Sequence, residues 1–255
     1  VQVSASPLWN DDGSFAGSMG ICVDITERKR YEESLSALNI YSRKLNSAKS
    51  MGEIYELTLD AAEEVLGFEF ADILIVKGKM LCLATTRGSS RISSLKLPLD
   101  GGKGITVRAA RTGKPVFVPD VSKEKAYVEG GLETRSELAV PIKIGHRVLG
   151  VLNVESRKLD AFDEKDQELL ETLASHAATA ISNLDRAESL ETYAREIRES
   201  QKKFERLFLN NPEAAVYTDS NFHILDINPR FAKLFGYSLE EVRGKHINSV
   251  VVPKD

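Results

Sequence analysis

The chain has 255 residues, 42% of them hydrophobic and 28% charged, a balance that excludes wholesale disorder. A net charge of −4 and a pI of about 5.7 remove the usual electrostatic basis for nucleic-acid binding. No apolar run approaches the roughly 18 residues of a membrane span. The only two cysteines, Cys22 and Cys82, lie in separate apolar segments. They read as buried thiols of a reducing, cytoplasmic compartment and not as a disulfide.

In chain order, residues 1–25 alternate around Asn10-Asp11-Asp12-Gly13, which predicts a hairpin. From Glu27 the pattern becomes helical, with Tyr31, Leu35, Leu38 and Leu45 as an approximate seam and Ser42 as its polar gap. Ser50 and Glu53 predict a capping box for a helix whose apolar face runs from Ile54 to Leu66, with Gly67 as its stop. Strands are expected over Phe70 to Val76 and Met80 to Thr86, then a short helix from Ile105 to Arg111 behind the Asp100 to Gly104 cluster. Further strands follow over Pro115 to Val118, Leu138 to Ile144 and Val148 to Val154, the first two separated by a polar loop from Ser122 to Arg135.

Asp163 caps a helix whose apolar positions run on through Leu173, Ala177, Ala180, Leu184 and Ala187, then Leu190, Ala194, Ile197, Gln201, Phe204 and Phe208, offset by one residue. A continuous helix of that length cannot bury its stripe inside one small domain, and pairing with a second copy is the simplest solution. Asn210-Asn211-Pro212 breaks the pattern. A second hairpin (Ala215 to Thr218, His223 to Ile227), a helix from Pro229 to Phe235 and a capping box at Ser238 and Glu241 complete the chain.

Three resemblances cover nearly all of it. Trp9, Asn10-Asp11-Asp12-Gly13, Gly17 and Asp24-Ile25-Thr26-Glu27-Arg28-Lys29 resemble the closing hairpin of a PAS domain and its passage into a signalling helix. Gly104-Ile105 to Gly113-Lys114-Pro115, Val118-Pro119-Asp120-Val121, Ser136 to Ile142, Gly150 to Ser156 and Phe162 to Asp166 resemble a GAF domain. Phe204 to Phe208, Asp219, Asn228-Pro229, Phe231, Gly236-Tyr237-Ser238, Glu240-Glu241 and Gly244-Lys245 resemble the opening half of a second PAS domain. The implied organisation is a PAS end at 1–26, a signalling helix at 27–50, a GAF domain at 51–185 whose entry helix starts near 36, a coiled-coil linker at 186–203 and a PAS N-terminal half at 204–255. The implied fold class is α+β, a central antiparallel sheet flanked by helices. The implied parent is a sensory protein, most often a histidine kinase of a bacterium or archaeon.

The resemblance also guides the search for sites. A GAF pocket between the sheet and the loop-helix segments would place Phe117, Asp120, Tyr127, Arg135, Ser136 and Glu137 near a small-molecule ligand, a mostly apolar cavity with a few polar groups being the usual form. Those residues equally suit packing or solvent. The cyclic-nucleotide class of GAF domains carries an Asn-Lys…Phe…Asp-Glu set. Here Asn153, Phe162 and Asp166 are present, but Val154 and Gln167 replace the lysine and glutamate. Neither cysteine lies in the loop used by bilin-binding relatives, and one cysteine in the domain is too few for a reductase with a resolving pair. His146 and His176 are poorly placed as haem ligands. His176, followed by Ala177-Ala178-Thr179, is similar to a phosphoacceptor box but lacks its acidic neighbour. The Asp100 to Gly104 cluster is read as a tight helix entry and not as a phosphate loop.

No zinc spacing or catalytic constellation is present. The expectation is a non-enzymatic sensory relay, homodimeric through its helices, with no cofactor, metal, nucleic-acid or membrane partner of its own. The alternative is a ligand-free GAF spacer in a regulator with another output, such as a diguanylate cyclase, a phosphodiesterase or a transcription regulator.

Overall fold

The computed structural model describes residues 1–88, 95–129 and 133–252. Part of the expected Ser122 to Arg135 loop and the last three residues of the second PAS segment lie outside the described residues. The chain divides into two compact units, Val1–Arg186 and Ala187–Asp255.

The first unit begins with a hairpin of β1 (Gln2–Trp9) and β2 (Phe15–Val23), antiparallel from Gln2 opposite Val23. Asp12 closes its turn by accepting the Ser14 backbone N–H at 2.9 Å. The hairpin's apolar side chains, including Val3, Trp9, Phe15 and Ile21, are exposed. Cys22 is exposed and Cys82 half-buried, which corrects the expectation of two buried thiols. Cys22 stands on a two-stranded ribbon with no layer over it.

Helix α1 (Thr26–Ser47) follows, then α2 (Met51–Glu64). Ser50 caps α2 by accepting the Glu53 N–H at 3.2 Å. Glu53 itself reaches one residue further back than a standard capping box, to the Lys49 N–H at 2.7 Å. The sheet has six antiparallel strands: β3 (Phe70–Lys77), β4 (Met80–Arg87), β5 (Lys96–Pro98), β6 (Val116–Val118), β7 (Ser136–Ile144) and β8 (Arg147–Ser156). Their spatial order is β5-β4-β3-β8-β7-β6. β5 was not anticipated, because three residues ending in Pro98 give too short an alternation to see. Gly150 is required by crowding: a Cβ there would lie 2.4 Å from the Leu74 carbonyl oxygen.

Alternation along the strands sends the two halves of their side chains into two cores. Ile73, Leu138, Val140, Ile142, Leu152 and Val154 join α1, α2 and the first part of α4 (Glu164–Leu209). Leu74, Leu81, Ala139 and Val151 join α3 (Ile105–Thr112), Val118 and the 3₁₀ turn at Val121–Lys123. The result is a three-layer α+β domain. Arg87 ties β4 to α2 through Asp60, Glu56 and Glu63.

Within this unit α1 and α4 run parallel, joined by side-chain rungs at a nearly constant step. Lys165 Nζ donates to Glu27 at 2.9 Å, Tyr31 OH to Glu168 at 2.7 Å and Asn183 Nδ2 to Asn46 Oδ1 at 3.1 Å, 138, 137 and 137 residues apart. Between the rungs, Leu38, Tyr41 and Leu45 are buried in the domain core. The seam read from the sequence is therefore part of the domain's own interior, and Tyr41 fills the turn beside the polar Ser42.

In the second unit β9 (Val216–Thr218) and β10 (Ile224–Ile227) pair, followed by α5 (Pro229–Phe235), α6 (Leu239–Val242) and α7 (Asn248–Val251). Ile224, Ile227, Phe231 and Val242 form its core. The fully buried Asn228 organises it. Its Oδ1 accepts the Ala215 and Phe231 N–H groups, and its Nδ2 donates to the Phe208 and Glu213 carbonyls. The Ser238–Glu241 capping box is complete. Among the described residues no helix is long and apolar enough to cross a membrane.

Candidate functional site

The site is built by sheet register on the α3 face. β7 and β8 set Glu137 directly opposite Glu155, and β8 and β3 set Asn153 directly opposite Asp72. Because 153 and 155 are two apart, all four side chains share one face. They line a cavity of about 40 Å³ with Leu74, Leu83, Leu97 and Ile105 among its apolar walls, room for a few water molecules. Gly104 opens α3 beside it at φ +105°, and a Cβ there would come within 2.9 Å of Val107. That geometry supports a tight helix entry at the Asp100 to Gly104 cluster.

Like charges directly opposite one another repel, and burial adds to the cost of ionising them. Glu137 is 4% exposed. Burial first, then the neighbouring Glu155 and Asp72 carboxylates, hold it well above the ordinary carboxylate range. Burial also raises Glu155 and Asp72. The nearby cation, Arg108, is engaged with Glu124 at 2.9 Å. Asn153 is 3% exposed. Its Nδ2 donates to Glu155 at 3.3 Å, whereas its Oδ1 accepts no hydrogen bond. Thr134 donates to Glu155 from the loop end.

Of the six residues expected to surround a ligand, Glu137 lines the cavity and Tyr127 packs in the same α3-side layer. The other four stand elsewhere. Phe117 sits opposite Leu138, so it faces the helical layer and meets Phe162 edge-on at 6.1 Å. Ser136 alternates to that same face and donates to the Lys158 carbonyl at 2.8 Å. Asp120 caps the 3₁₀ turn, accepting from Ser122 Oγ at 2.6 Å and pairing with Lys123 at 3.0 Å. The Ser122 bonds hold its carboxyl below the ordinary range. Arg135 is exposed, its backbone locked to Ser156 and Val121.

The residues weighed for other ligands have structural places. Phe162 packs between Phe68 and Phe117. Asp163 and Asp166 cap one another's backbone at the start of α4. His176 is half-buried on α4 near Leu38, and burial lowers its imidazole. His146 is exposed in the β7–β8 turn. The acidic residues missed from sequence carried a visible signal: Asp72 and Glu155 interrupt otherwise apolar strands, and buried polar residues are the informative ones.

Comparison with known proteins places both units. A GAF domain model matches residues 48–182, and a PAS fold model matches residues 202–255. The chain is 25% identical over 257 residues to the methyl sulfide methyltransferase-associated sensor of Methanosarcina acetivorans, covering 95% of this chain and 25% of that protein. It is 39% identical over 74 residues to the free methionine-R-sulfoxide reductase of Saccharomyces cerevisiae, covering 29% of this chain and 41% of the enzyme. The chain thus spans a quarter of the first relative and two fifths of the second. The free methionine-R-sulfoxide reductase of Neisseria meningitidis, solved with its substrate, shares the fold at a TM-score of 0.55 and 23% identity, over 66% of this chain and 96% of that one. With the three-layer antiparallel domain and a model match over more than half of its length, the chain belongs to the GAF domain family.

Proposed function

We propose that this chain is the sensory and relay region of a prokaryotic signal-transduction protein, most simply a sensor histidine kinase, arranged as PAS end, GAF and PAS half. The observation that carries the reading is α4. It starts inside the GAF core, rung to α1, and continues without a break into a stretch where Leu190, Tyr193 and Ile197 are exposed. Such a stripe suits a parallel homodimer. A small molecule in the α3-side cavity would favour one of two packings of the helices, and the dimer would carry that bias onward. The sensor relative supports this role. Cys82 is the single cysteine of the GAF domain, which favours sensing over a reductase chemistry that needs a resolving thiol in the same domain.

Disulfide crosslinking of single cysteines at positions 190, 193 and 197, in a chain with Cys22 and Cys82 replaced by Ser, is expected to give dimers. No crosslink at any position would overturn the relay. A second reading, a ligand-free spacer, is favoured by the small cavity. A thermal-shift screen with metabolites separates the two, because a ligand that binds only the folded state raises its melting temperature.

A further inference from the structure

We propose that His176 is a proton-operated rung of the α1–α4 pair. Neutral, its imidazole lets the two helices pack along their shared length; protonated, it loosens them between the Tyr31 and Asn46 rungs.

Position is the first observation. The rungs of the pair recur 137 or 138 residues apart. His176 stands 138 residues beyond Leu38, the step of the Glu27–Lys165 rung, so it falls between Tyr31–Glu168 and Asn46–Asn183. Its Nδ1 is enclosed and has no well-directed hydrogen bond. The one group that favours a charged imidazole there is the Leu38 backbone carbonyl.

Isolation is the second. Residues 34–42 of α1 and 172–184 of α4 contain no Asp, Glu, Lys or Arg. His176 is therefore the group in this stretch of the seam that gains charge near neutral pH. The surrounding ionisable groups are engaged elsewhere. In the groove that His176 shares with Tyr31, Glu168 accepts from Tyr31 at 2.7 Å and Glu171 from Gln167 at 2.8 Å. Further along α1, Arg43 is exposed and Lys44 lies over the Tyr41 ring at 4.3 Å. Tyr41 itself donates to Glu64 of α2. Lys143 of β7 donates to the Gly113 carbonyl at 2.5 Å.

A proton on the ring thus finds no carboxylate to pair with. Burial makes the charged form costly in this packing, and parting of the helices would relieve it by letting water reach Nδ1. A conformer that exposes the ring binds the proton more tightly, so acid shifts the population toward it. Burial lowers the imidazole from its ordinary 6.5, so the contribution of neutral His176 is complete above 6.5 and is lost as pH falls below it. Because α4 runs on from this seam into its exposed stripe, a loosened pair would reach the dimer. That onward step rests on the relay reading, whereas the local opening does not.

The test is hydrogen exchange of the full chain at about pH 7.5 and about pH 5.5, with intrinsic rates divided out, read on peptides spanning 34–42 and 172–184. Protection there is expected to fall at least about threefold in acid, while peptides of β8, where burial favours the protonated Glu155, keep theirs. The His176 imidazole is expected to titrate below 6.5 by NMR. His176→Gln should abolish the acid response, and His146→Gln, in the exposed β7–β8 turn, should leave it intact. Unchanged protection overturns the proposal, as does an equal loss in β8 or a response that survives His176→Gln. Should His176→Gln not fold, an imidazole midpoint at or above 6.5 in the unsubstituted chain overturns it alone. Crosslinks at positions 190, 193 and 197 report the relay separately, so either reading can fail without the other.

Discussion

The two halves of α4 carry one apolar stripe but have opposite environments. In the first half Leu170, Leu173, Ala177 and Ala180 are buried in the GAF core against the sheet and α1. In the second, Leu190 is 69% and Ile197 59% exposed. The spacing is nearly the same on both sides of Ala187. Periodicity therefore reports that a helix has an apolar face, and only the neighbouring layer decides whether that face is buried inside the chain or left exposed.

Substitutions can break this comparison. The largest effect is expected in the first half: Leu173→Ala should destabilise the GAF domain by about 2–5 kcal/mol, the range for a buried leucine, measured by urea unfolding. Ile197→Ser in the second half should leave the unfolding of the dilute chain within about 0.5 kcal/mol while shifting sedimentation from dimer to monomer. If the two costs are equal in dilute solution, the halves do not differ as described.

An intermediate effect belongs to the rungs that bind the first half to α1. Asn183→Ala should cost about 0.5–1.5 kcal/mol. Lys165→Ala should cost less still, because Lys165 and Glu27 are largely exposed and water screens such a pair. Double-mutant cycles with Asn46→Ala and Glu27→Ala check both.

The pH dependence sharpens the contrast between the helical layer and the acidic layer across the sheet. Glu137 has a folded-state pKa above its ordinary 4.5, so the folded chain holds a proton that the unfolded chain releases. Stability should then fall as pH rises above 4.5 toward the raised value. Glu137→Gln should flatten that fall and raise the melting temperature on the alkaline side. An unchanged slope would show that another group governs it.

Elements with strong local signals were legible in the sequence. Ser238 and Glu241 form the anticipated box, Pro229 to Phe235 is a helix with those bounds, and Gly104 has the positive φ its position required. The antiparallel sheet with flanking helices also followed from the resemblance. The site was much less legible. The GAF resemblance set five residues besides Glu137 near a ligand, yet strand alternation turns Ser136 and Phe117 to the opposite face, and Asp120 is used in a cap. The residues that do meet, Asp72, Asn153 and Glu155, come from strands far apart in sequence. Their contact depends on register, which no local pattern states.

The parallel rungs between α1 and α4 also bear on how this module is exchanged between proteins. Similarity to the GAF family begins at residue 48, after α1 has ended at Ser47. A recombination joint there would leave behind Leu38, Tyr41 and Leu45, and bare the groove they fill. A joint ahead of Thr26 would keep the helix pair together. The structural unit thus starts about a helix earlier than the recognisable domain. An insertion of one residue within α1 would turn every later rung by about 100°, so lineages that shuffle this domain are expected to conserve the length of its entry helix as strictly as its core.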